Sequence, residues 1–398
     1  MRPLHHTRRL VRACASLLAL VLVVTVALVG TVGPPAPALA QSVAASEILA
    51  PPPLDASTLG VPPSVSAVLV EVATGQAIVA RDADLRRPIA STLKLVTALA
   101  VVAALPPGSL IAVGAEVRGV EGSAYGLRPG EVRSVEDLLA GLLLRSGNDA
   151  ALALAVAIDG SEDAFLDRMA GVLADLGIAA RPETSSGLGD ADALSATELA
   201  VVAIAALAEP RIRDLVAVPV LTLADGTPVE NRNQFLRDVD GATGLKTGFT
   251  SAAGYTLAAS AVRDGRELVA VVLGAVDDRT RRDIAGRLLE HGFTMTTPTA
   301  LVDSITLRTA AGPVRLAPVD TVMTLAAGSA AVLDWPATLR SDASPASIDV
   351  LVDGARAGSV EVVRQDGRRA TVAPSLGRAL VDGVYAALRP SGLSDALR

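Results

Sequence analysis

The 398-residue chain has very few of the side chains that metal centres and thiol enzymes require. Its one cysteine is Cys14, and its three histidines are His5, His6 and His291. A disulfide, a cysteine nucleophile and a cysteine zinc site in the body of the protein are therefore excluded, and one body histidine cannot form a multi-histidine metal centre. His291 ends a predicted helix, where a cation suits the helix C-terminus. We expect neither a metal nor a cofactor.

Lysine is almost absent. The 35 lysine and arginine residues include only two lysines, Lys94 and Lys246. Arginine supplies a permanent charge, whereas lysine can lose its proton or present a compact ammonium group. These two positions are therefore candidates for chemistry that a guanidinium cannot perform.

Long apolar runs are also missing beyond the N-terminus, although 51% of the residues are hydrophobic and the mean hydropathy is +0.46. The longest such runs, Leu95–Leu105 and Leu199–Ala208, are shorter than the ~20 residues that span a bilayer. The formal net charge is −7, which argues against a nucleic-acid partner.

Residues 1–40 have the pattern of an export signal. Four early arginines precede the apolar stretch Leu17–Val29, and Ala38-Leu39-Ala40 matches a signal-peptidase cleavage pattern. We expect an extracytoplasmic protein that is secreted, associated with the cell wall or on the periplasmic face of the membrane. Retention of the apolar stretch as a membrane anchor is the alternative, and the pattern leaves the Sec and Tat routes open.

The remaining chain is predicted to form an α+β protein. Residues 41–63 are Pro-rich and are interpreted as a linker, and the folded body is expected over 64–294. Strands, then helices, then strands and a closing helix follow without βαβ alternation, so we expect an antiparallel sheet with a helical cluster. The predicted strands are Ala67–Val72, Gln76–Arg81, Tyr255–Val262 and Glu267–Leu273, and the predicted helices are Ser91–Ala104, Ser134–Leu144, Asp149–Ile158, Ala164–Leu176, Ala196–Ala208 and Arg279–His291.

The C-terminal part of the chain has a different residue pattern from the rest. Short β-prone runs with Asp-Gly turns predict a small β-rich domain over 299–374. Residues 375–398 are expected to form a helix and a tail, because Ser375–Leu388 places apolar residues on one face. Packing on the β-rich domain is the favoured role of this helix, and peripheral membrane contact is the alternative.

Ser91 precedes Lys94 by three residues at the start of a predicted helix. This spacing places both side chains on one face, with Cβ atoms about 5–6 Å apart. A serine hydroxyl needs a base to become a nucleophile, and a lysine that is desolvated beside other cations can be neutral enough to serve. We predict that Ser91 attacks and that Lys94 is the base.

Two further segments carry polar groups suited to the same site. Ser146 and Asn148 lie between two predicted helices and supply a hydroxyl for proton relay and an amide that orients neighbours. Lys246 would bind a substrate carboxylate as a fixed positive charge, with Thr247 as a hydroxyl donor. Gly248 lets a substrate approach closely, and a backbone N–H after it is a candidate oxyanion contact.

The three segments occur in the order S-x-x-K, S-x-N and K-T-G, the motif set of penicillin-binding proteins and serine β-lactamases. Their surroundings, together with Asn231–Leu236 and Gly244–Tyr255, closely resemble the low-molecular-mass penicillin-binding proteins that are D-alanyl-D-alanine carboxypeptidases. The resemblance covers about 64–293 and continues faintly over Asp353–Val360. It implies the β-lactamase and penicillin-binding-protein fold and a serine DD-peptidase catalytic domain over 64–294.

The resemblance also implies roles and partners. Ser91 would be the acylated nucleophile, and the backbone N–H groups of Ser91 and Phe249 would form the oxyanion hole. Arg232 would be a basic residue near the pocket. The substrate would be a peptidoglycan stem peptide ending in D-Ala-D-Ala, and β-lactams would be covalent inhibitors. The chain departs from the family at Met169-Ala170 and at 184–188, which read Thr-Ser-Ser-Gly-Leu where relatives often read Asn-x-His-Gly-Leu.

Two alternatives remain at this point. A class A β-lactamase needs a glutamate, typically in Glu-x-x-Leu-Asn, to activate the deacylating water, and no such sequence lies between Asn148 and Lys246. Glu183 is the nearest candidate and does not fit that pattern. A non-catalytic protein that binds the cell wall on the same fold is the second alternative.

Overall fold

The computed structural model describes residues 53–300, 305–309, 312–318, 322–329, 331–334, 346–352 and 355–364. The helices are α1 (Lys94–Ala104), α2 (Val135–Leu143), α3 (Asn148–Asp159), α4 (Glu162–Asp175), α5 (Ala196–Ala208), α6 (Pro210–Val216), α7 (Phe235–Asp238) and α8 (Asp278–Met295). The strands up to residue 275 are β1 (Leu54–Asp55), β2 (Ser66–Glu71), β3 (Ala77–Arg81), β4 (Arg87–Pro88), β5 (Leu110–Ala112), β6 (Val132–Ser134), β7 (Ala193–Leu194), β8 (Val220–Thr222), β9 (Pro228–Glu230), β10 (Ala242–Thr250), β11 (Gly254–Arg263) and β12 (Arg266–Ala275).

A six-stranded sheet with the order β1-β3-β2-β12-β11-β10 organises this part of the chain, and all its pairings except β1 with β3 are antiparallel. Side chains on β12 alternate between two cores. Val269 and Val271 pack with the helical cluster, whereas Leu268 and Ala270 pack with α8 on the other face. Because both faces are covered, the middle of β12, Leu268–Leu273, is a continuous apolar run rather than an alternation with polar residues.

Capping side chains fix where several helices begin. Ser134 accepts a hydrogen bond from the Asp137 N–H at the start of α2, and Ser195 forms a capping box with Glu198 at the start of α5. These starts match the predicted helices closely, and α5 has the predicted bounds. His291 lies inside α8, which continues to Met295.

Strand β1 and the residues after it show that the last part of the predicted linker, 41–63, is folded. Leu54 and Asp55 pair in parallel with Val79 and Ala80 of β3. Ala56 is fully buried and Val61 nearly so, because both pack into the core beneath α8. Residues 54–63 therefore belong to the folded domain, whereas the predicted boundary between linker and domain is Ser64. Residues 41–52 and the predicted export signal lie outside the described residues.

Strands dominate the described residues after α8. They are β13 (Thr296–Ala300), β14 (Ile305–Thr309), β15 (Gly312–Pro318), β16 (Val322–Ala326), β17 (Ala331–Asp334), β18 (Ala346–Val352) and β19 (Ala355–Arg364). β13 pairs with β16, and the others form a sheet with the order β14-β15-β19-β18-β17. The predicted helix over Ser375–Leu388 lies outside the described residues.

The turn between β2 and β3 contacts strand β16. The Gln76 side-chain amide donates to the Thr324 carbonyl at 2.8 Å and accepts from the Thr324 N–H at 3.0 Å. Both residues are buried, so this pair ties the β-rich part to the main sheet.

Candidate active site

Ser91 lies in a 3-10 turn, Ala90–Leu93, that leads directly into α1. Its predecessor Ala90 has a φ of 50°, in the left-handed region that non-glycine residues rarely occupy. The Ile89 carbonyl stabilises the turn, because it accepts hydrogen bonds from the hydroxyls of Thr92 at 2.6 Å and Thr256 at 2.9 Å. The fold therefore fixes the position of Ser91.

The Lys94 amine is fully buried and has three hydrogen-bond partners. Nζ lies 2.9 Å from Ser91 Oγ, 2.7 Å from Asn148 Oδ1 and 2.6 Å from the Ser186 carbonyl oxygen. The two carbonyl oxygens can only accept, so they take two N–H donors. In its charged form the Lys94 amine donates to the Ser91 hydroxyl as well; in its neutral form, which has two N–H groups, the lone pair would be left for that hydroxyl. The geometry suits a base that takes the proton of Ser91.

Burial disfavours the protonated, charged form of Lys94. Desolvation lowers the pKa of Lys94 well below 10.5, and the nearby charges of Lys246 and Arg232 lower it further. Asp192 and Asp149 act in the opposite direction. The predicted spacing of Ser91 and Lys94 thus produces a contact between the two side chains, in an environment that lowers the pKa of the lysine.

Ser146 and Asn148 lie at the connection between α2 and α3. Ser146 has a φ of 61°, and Asn148 begins α3. The Asn148 amide bridges two parts of the site, because its oxygen accepts from Lys94 and its nitrogen donates to the Glu121 carbonyl at 2.7 Å. The following residue, Asp149, accepts the backbone N–H groups of residues 125–127. The S-x-N segment therefore fixes both Lys94 and the 121–127 loop.

Lys246 lies on β10, the edge strand of the main sheet. Only 2% of Lys246 is exposed, and its Nζ donates to the Thr247 carbonyl at 2.8 Å. Burial lowers the pKa of Lys246 from 10.5 to about 7, and the cations Arg281 and Arg232 contribute. Burial therefore acts against the fixed positive charge that the K-T-G motif predicts at this position.

Gly248 brings β10 against the nucleophile. A Cβ atom at this position would lie 2.9 Å from the Ser91 nitrogen and 2.5 Å from Thr256 Oγ1, closer than real Cβ atoms approach. Only glycine therefore lets the strand pass this close to the Ser91 N–H. Phe249 follows, half exposed, with its ring 4.5 Å from that of Tyr255.

Arg232 is exposed and donates to Ser123 Oγ at 2.7 Å. Its backbone N–H donates to the Leu144 carbonyl at the end of α2, so it lies beside the S-x-N segment. Its charge lowers the pKa values of both Lys94 and Lys246. The structure thus brings Arg232 to the same centre as the motif residues.

Two contributors were not found from the sequence. The Ser186 carbonyl is the third partner of Lys94, and a backbone acceptor has no residue-type signal. Arg281 of α8 is buried and donates to the carbonyls of Gly248 and Thr256 at 2.7 and 2.9 Å. It is one of many arginines in this chain, so only the tertiary structure distinguishes it.

The described residues contain no group of three or more His, Cys, Asp or Glu side chains that could hold a metal ion. Within the same part of the chain, no helix has the length and apolar character needed to cross a membrane.

Comparison with known proteins gives the family context. A family model described as D-alanyl-D-alanine carboxypeptidase (Peptidase_S11) matches residues 61–277. The chain is 33% identical over 253 residues to the D-alanyl-D-alanine carboxypeptidase DacB2 of Mycobacterium tuberculosis, which covers 61% of this chain and 86% of that protein. It is 36% identical over 252 residues to DacD of Salmonella typhimurium, which covers 58% of this chain, and it spans 64% of that relative's length.

Solved structures agree with this assignment. The D-alanyl-D-alanine carboxypeptidase of Mycobacterium tuberculosis matches with a TM-score of 0.55 and 32% identity over 58% of this chain and 90% of that chain. Penicillin-binding protein 6B of Escherichia coli matches with a TM-score of 0.62 and 30% identity over 75% of this chain and 93% of that chain. The predicted α+β fold, an antiparallel sheet with a helical cluster, is confirmed.

Proposed function

The chain belongs to the D-alanyl-D-alanine carboxypeptidase family and is a serine hydrolase, and from this premise we propose that it removes the terminal D-alanine of peptidoglycan stem peptides through an acyl-enzyme on Ser91. The observation that carries the assignment is the hydrogen bonding of Lys94. Its Nζ lies 2.9 Å from Ser91 Oγ and is held by two obligate acceptors, Asn148 Oδ1 and the Ser186 carbonyl, so a neutral amine that donates to both would direct its lone pair at the serine hydroxyl.

The proposed acylation begins when Lys94 takes the Ser91 proton and Ser91 Oγ attacks the carbonyl carbon of the penultimate D-alanine. The N–H groups of Ser91 and Phe249 stabilise the oxyanion of the tetrahedral intermediate. Ser146 relays the proton held by Lys94 to the leaving nitrogen, the C–N bond breaks, D-alanine departs and Lys94 is neutral again. Water then hydrolyses the ester and regenerates Ser91.

Substrate binding is proposed to depend on β10. This strand is at the sheet edge, so an extended peptide can lie along it. Lys246 and Thr247 would bind the terminal carboxylate, and Gly248 leaves room for the reacting carbonyl. Arg232 adds positive charge at the exposed side of the site. A β-lactam presents a strained amide and a carboxylate with the same arrangement, so it would acylate Ser91 covalently.

The β-lactamase alternative is disfavoured by the position of Glu183. Its carboxylate accepts from the Ala191 N–H at 3.2 Å within its own loop, and the residue is exposed. The non-catalytic alternative is disfavoured because Lys94 Nζ lies within hydrogen-bond distance of both Ser91 Oγ and Asn148 Oδ1.

We also propose that the protein acts outside the cytoplasm, where its peptidoglycan substrate lies. Export by residues 1–40 belongs to this proposal, and peripheral membrane contact by residues 375–398 remains the alternative to their packing on the β-rich domain.

The test is covalent labelling with a fluorescent penicillin followed by peptide mapping. We expect one adduct per protein, on the peptide containing Ser91, and none on Ser91→Ala. Ser146→Ala is the matched control, because it should still place any adduct on Ser91, more slowly. An adduct on Ser146, or labelling that survives Ser91→Ala, would overturn the nucleophile assignment. Fast turnover of penicillin would indicate a β-lactamase, and absence of labelling would indicate a binding protein.

A further inference from the structure

Asp192 is a buried carboxylate that the reaction scheme does not use. Only 1% of the residue is exposed. Its Oδ1 accepts the N–H groups of Glu183 and Thr184 at 2.7 and 3.2 Å, and its Oδ2 accepts the Thr184 hydroxyl at 2.6 Å and the Gly189 N–H at 3.1 Å. Burial raises the pKa of this carboxyl, and these hydrogen bonds act against the rise. Four donors match the acceptor capacity of an ionised carboxylate.

Thr184 extends the contact toward the catalytic lysine. While its hydroxyl donates to the carboxylate, its oxygen accepts the N–H groups of Gly187 at 2.9 Å and Leu188 at 3.1 Å. Ser186 lies within this hydrogen-bonded loop, and its carbonyl oxygen is 2.6 Å from Lys94 Nζ. The direction of that carbonyl is therefore set by the Thr184 hydroxyl.

Asp192 also holds the nucleophile segment directly. Its backbone carbonyl accepts the Ile89 N–H at 2.9 Å, two residues before Ser91. The same loop packs tightly on the next residue, because a Cβ atom on Gly187 would lie 2.0 Å from the Ala90 carbonyl oxygen. One residue thus links the segment that carries the nucleophile to the loop that orients the base.

The charges around Lys94 give Asp192 an electrostatic role as well. Lys246 and Arg232 disfavour a protonated Lys94, and Asp192 and Asp149 favour one, with Asp192 the larger of the two. The carboxylate of Glu183 lies near that of Asp192, since both face Gly189. When Lys94 takes the serine proton it becomes an ammonium group next to two cations, so a fixed negative charge nearby lowers the energy of that state.

We propose that Asp192 is a positioning residue for Lys94 in the acylation step. Through Thr184 it holds the Ser186 carbonyl on the Lys94 amine. Its charge stabilises the ammonium that Lys94 becomes after taking the Ser91 proton. This inference rests on the proposed function, in which Lys94 is the base.

The test measures the second-order rate constant of acylation by a fluorescent penicillin between pH 5 and pH 9 in variants that separate charge from position. Asp192→Asn removes the charge, Thr184→Val removes the hydroxyl, and Thr184→Ser keeps it. Glu162→Gln is the matched control. Glu162 is the first residue of α4 and contacts the same loop, because its carboxylate accepts from the Ser185 N–H and hydroxyl at 2.9 and 2.6 Å; it is not among the charges that act on Lys94.

We expect Asp192→Asn to acylate ~10- to 100-fold more slowly at neutral pH. The acid limb of its pH–rate profile, where the rate falls as Lys94 becomes protonated, should move to lower pH, because loss of a negative charge lowers the pKa of Lys94. Thr184→Val should be slow with an unmoved acid limb, Thr184→Ser should recover most of the rate, and Glu162→Gln should resemble the wild type. Thermal melts would confirm folding.

Two results would overturn the inference. One is an acid limb of Asp192→Asn that stays in place or moves to higher pH. The other is Thr184→Val acylating as fast as Thr184→Ser, which decides the positioning role even where Asp192→Asn does not fold. Labelling of the wild type that disappears in Ser91→Ala would show that the proposed function survives either result.

Discussion

Lys246 should lose its charge near neutral pH, so capture of a carboxylate-bearing substrate should weaken as the pH rises above about 7. Lowering the pKa from 10.5 to about 7 corresponds to about 5 kcal/mol of penalty on the protonated amine, at ~1.4 kcal/mol for each pH unit. A bound carboxylate reverses part of this penalty, because an opposite charge favours the protonated form. The charge is thus present below pH 7 and is restored by substrate above it.

The assay is stopped-flow acylation by a penicillin together with D-alanine release from two peptides, one ending in a carboxylate and one in a carboxamide. For carboxylate ligands, the second-order rate constant should fall by up to ~10-fold for each pH unit above 7. The rate at saturation should persist to higher pH, since the bound carboxylate raises the pKa of Lys246. The carboxamide peptide should lack the fall. Because Lys94 and Lys246 interact, apparent pKa values belong to the pair.

Lys246→Arg is the decisive variant. A guanidinium stays charged across this range, so the fall above pH 7 should disappear. Absolute rates should be lower than in the wild type because the larger group must fit a site that is almost closed to solvent. If wild type and Lys246→Arg fall in parallel above pH 7, the titrating group is not Lys246 and the reasoning is wrong.

Three other outcomes follow from the site. Lys94→Arg should acylate ~10²–10⁴-fold more slowly than wild type in the same assay, since a guanidinium cannot accept the serine proton; a rate equal to that of Lys246→Arg would contradict Lys94 as the base. Gly248→Ala should lose most acylation and lower the melting temperature, because its Cβ would meet the Ser91 nitrogen at 2.9 Å, and a wild-type rate would show that the strand can move away. Dialysis against EDTA should leave D-alanine release unchanged, and a loss restored by zinc would show that a metal had been missed.

The motif residues could be predicted because their signals are local. A serine three residues before a lysine at a helix start is set by helix geometry, and the structure places Ser91 and Lys94 in contact. The starts of α2 and α5 follow from capping serines in the same way. Each of these features depends on residues within one turn of each other.

Other features depend on distant parts of the chain. The pKa of Lys246 depends on burial and on Arg281 of α8, and neither can be read from K-T-G. The Ser186 carbonyl reaches Lys94 from a loop 92 residues later. The two-residue strand β1 has no periodicity to detect in a Pro-rich segment, so it was interpreted as linker.

The position of β1 has a mechanical consequence. The chain enters the main sheet at Leu54 on one edge, and the catalytic strand β10 forms the other edge, five strand spacings away, or about 24 Å at ~4.8 Å per spacing. A pulling force applied upstream of residue 54 would load the two-residue pairing with Val79 and Ala80 first. That pairing would separate before the force reached β10, the strand that carries Lys246. The protein can therefore be immobilised through its upstream chain on a bead or a surface, and the catalytic edge should remain open and undistorted.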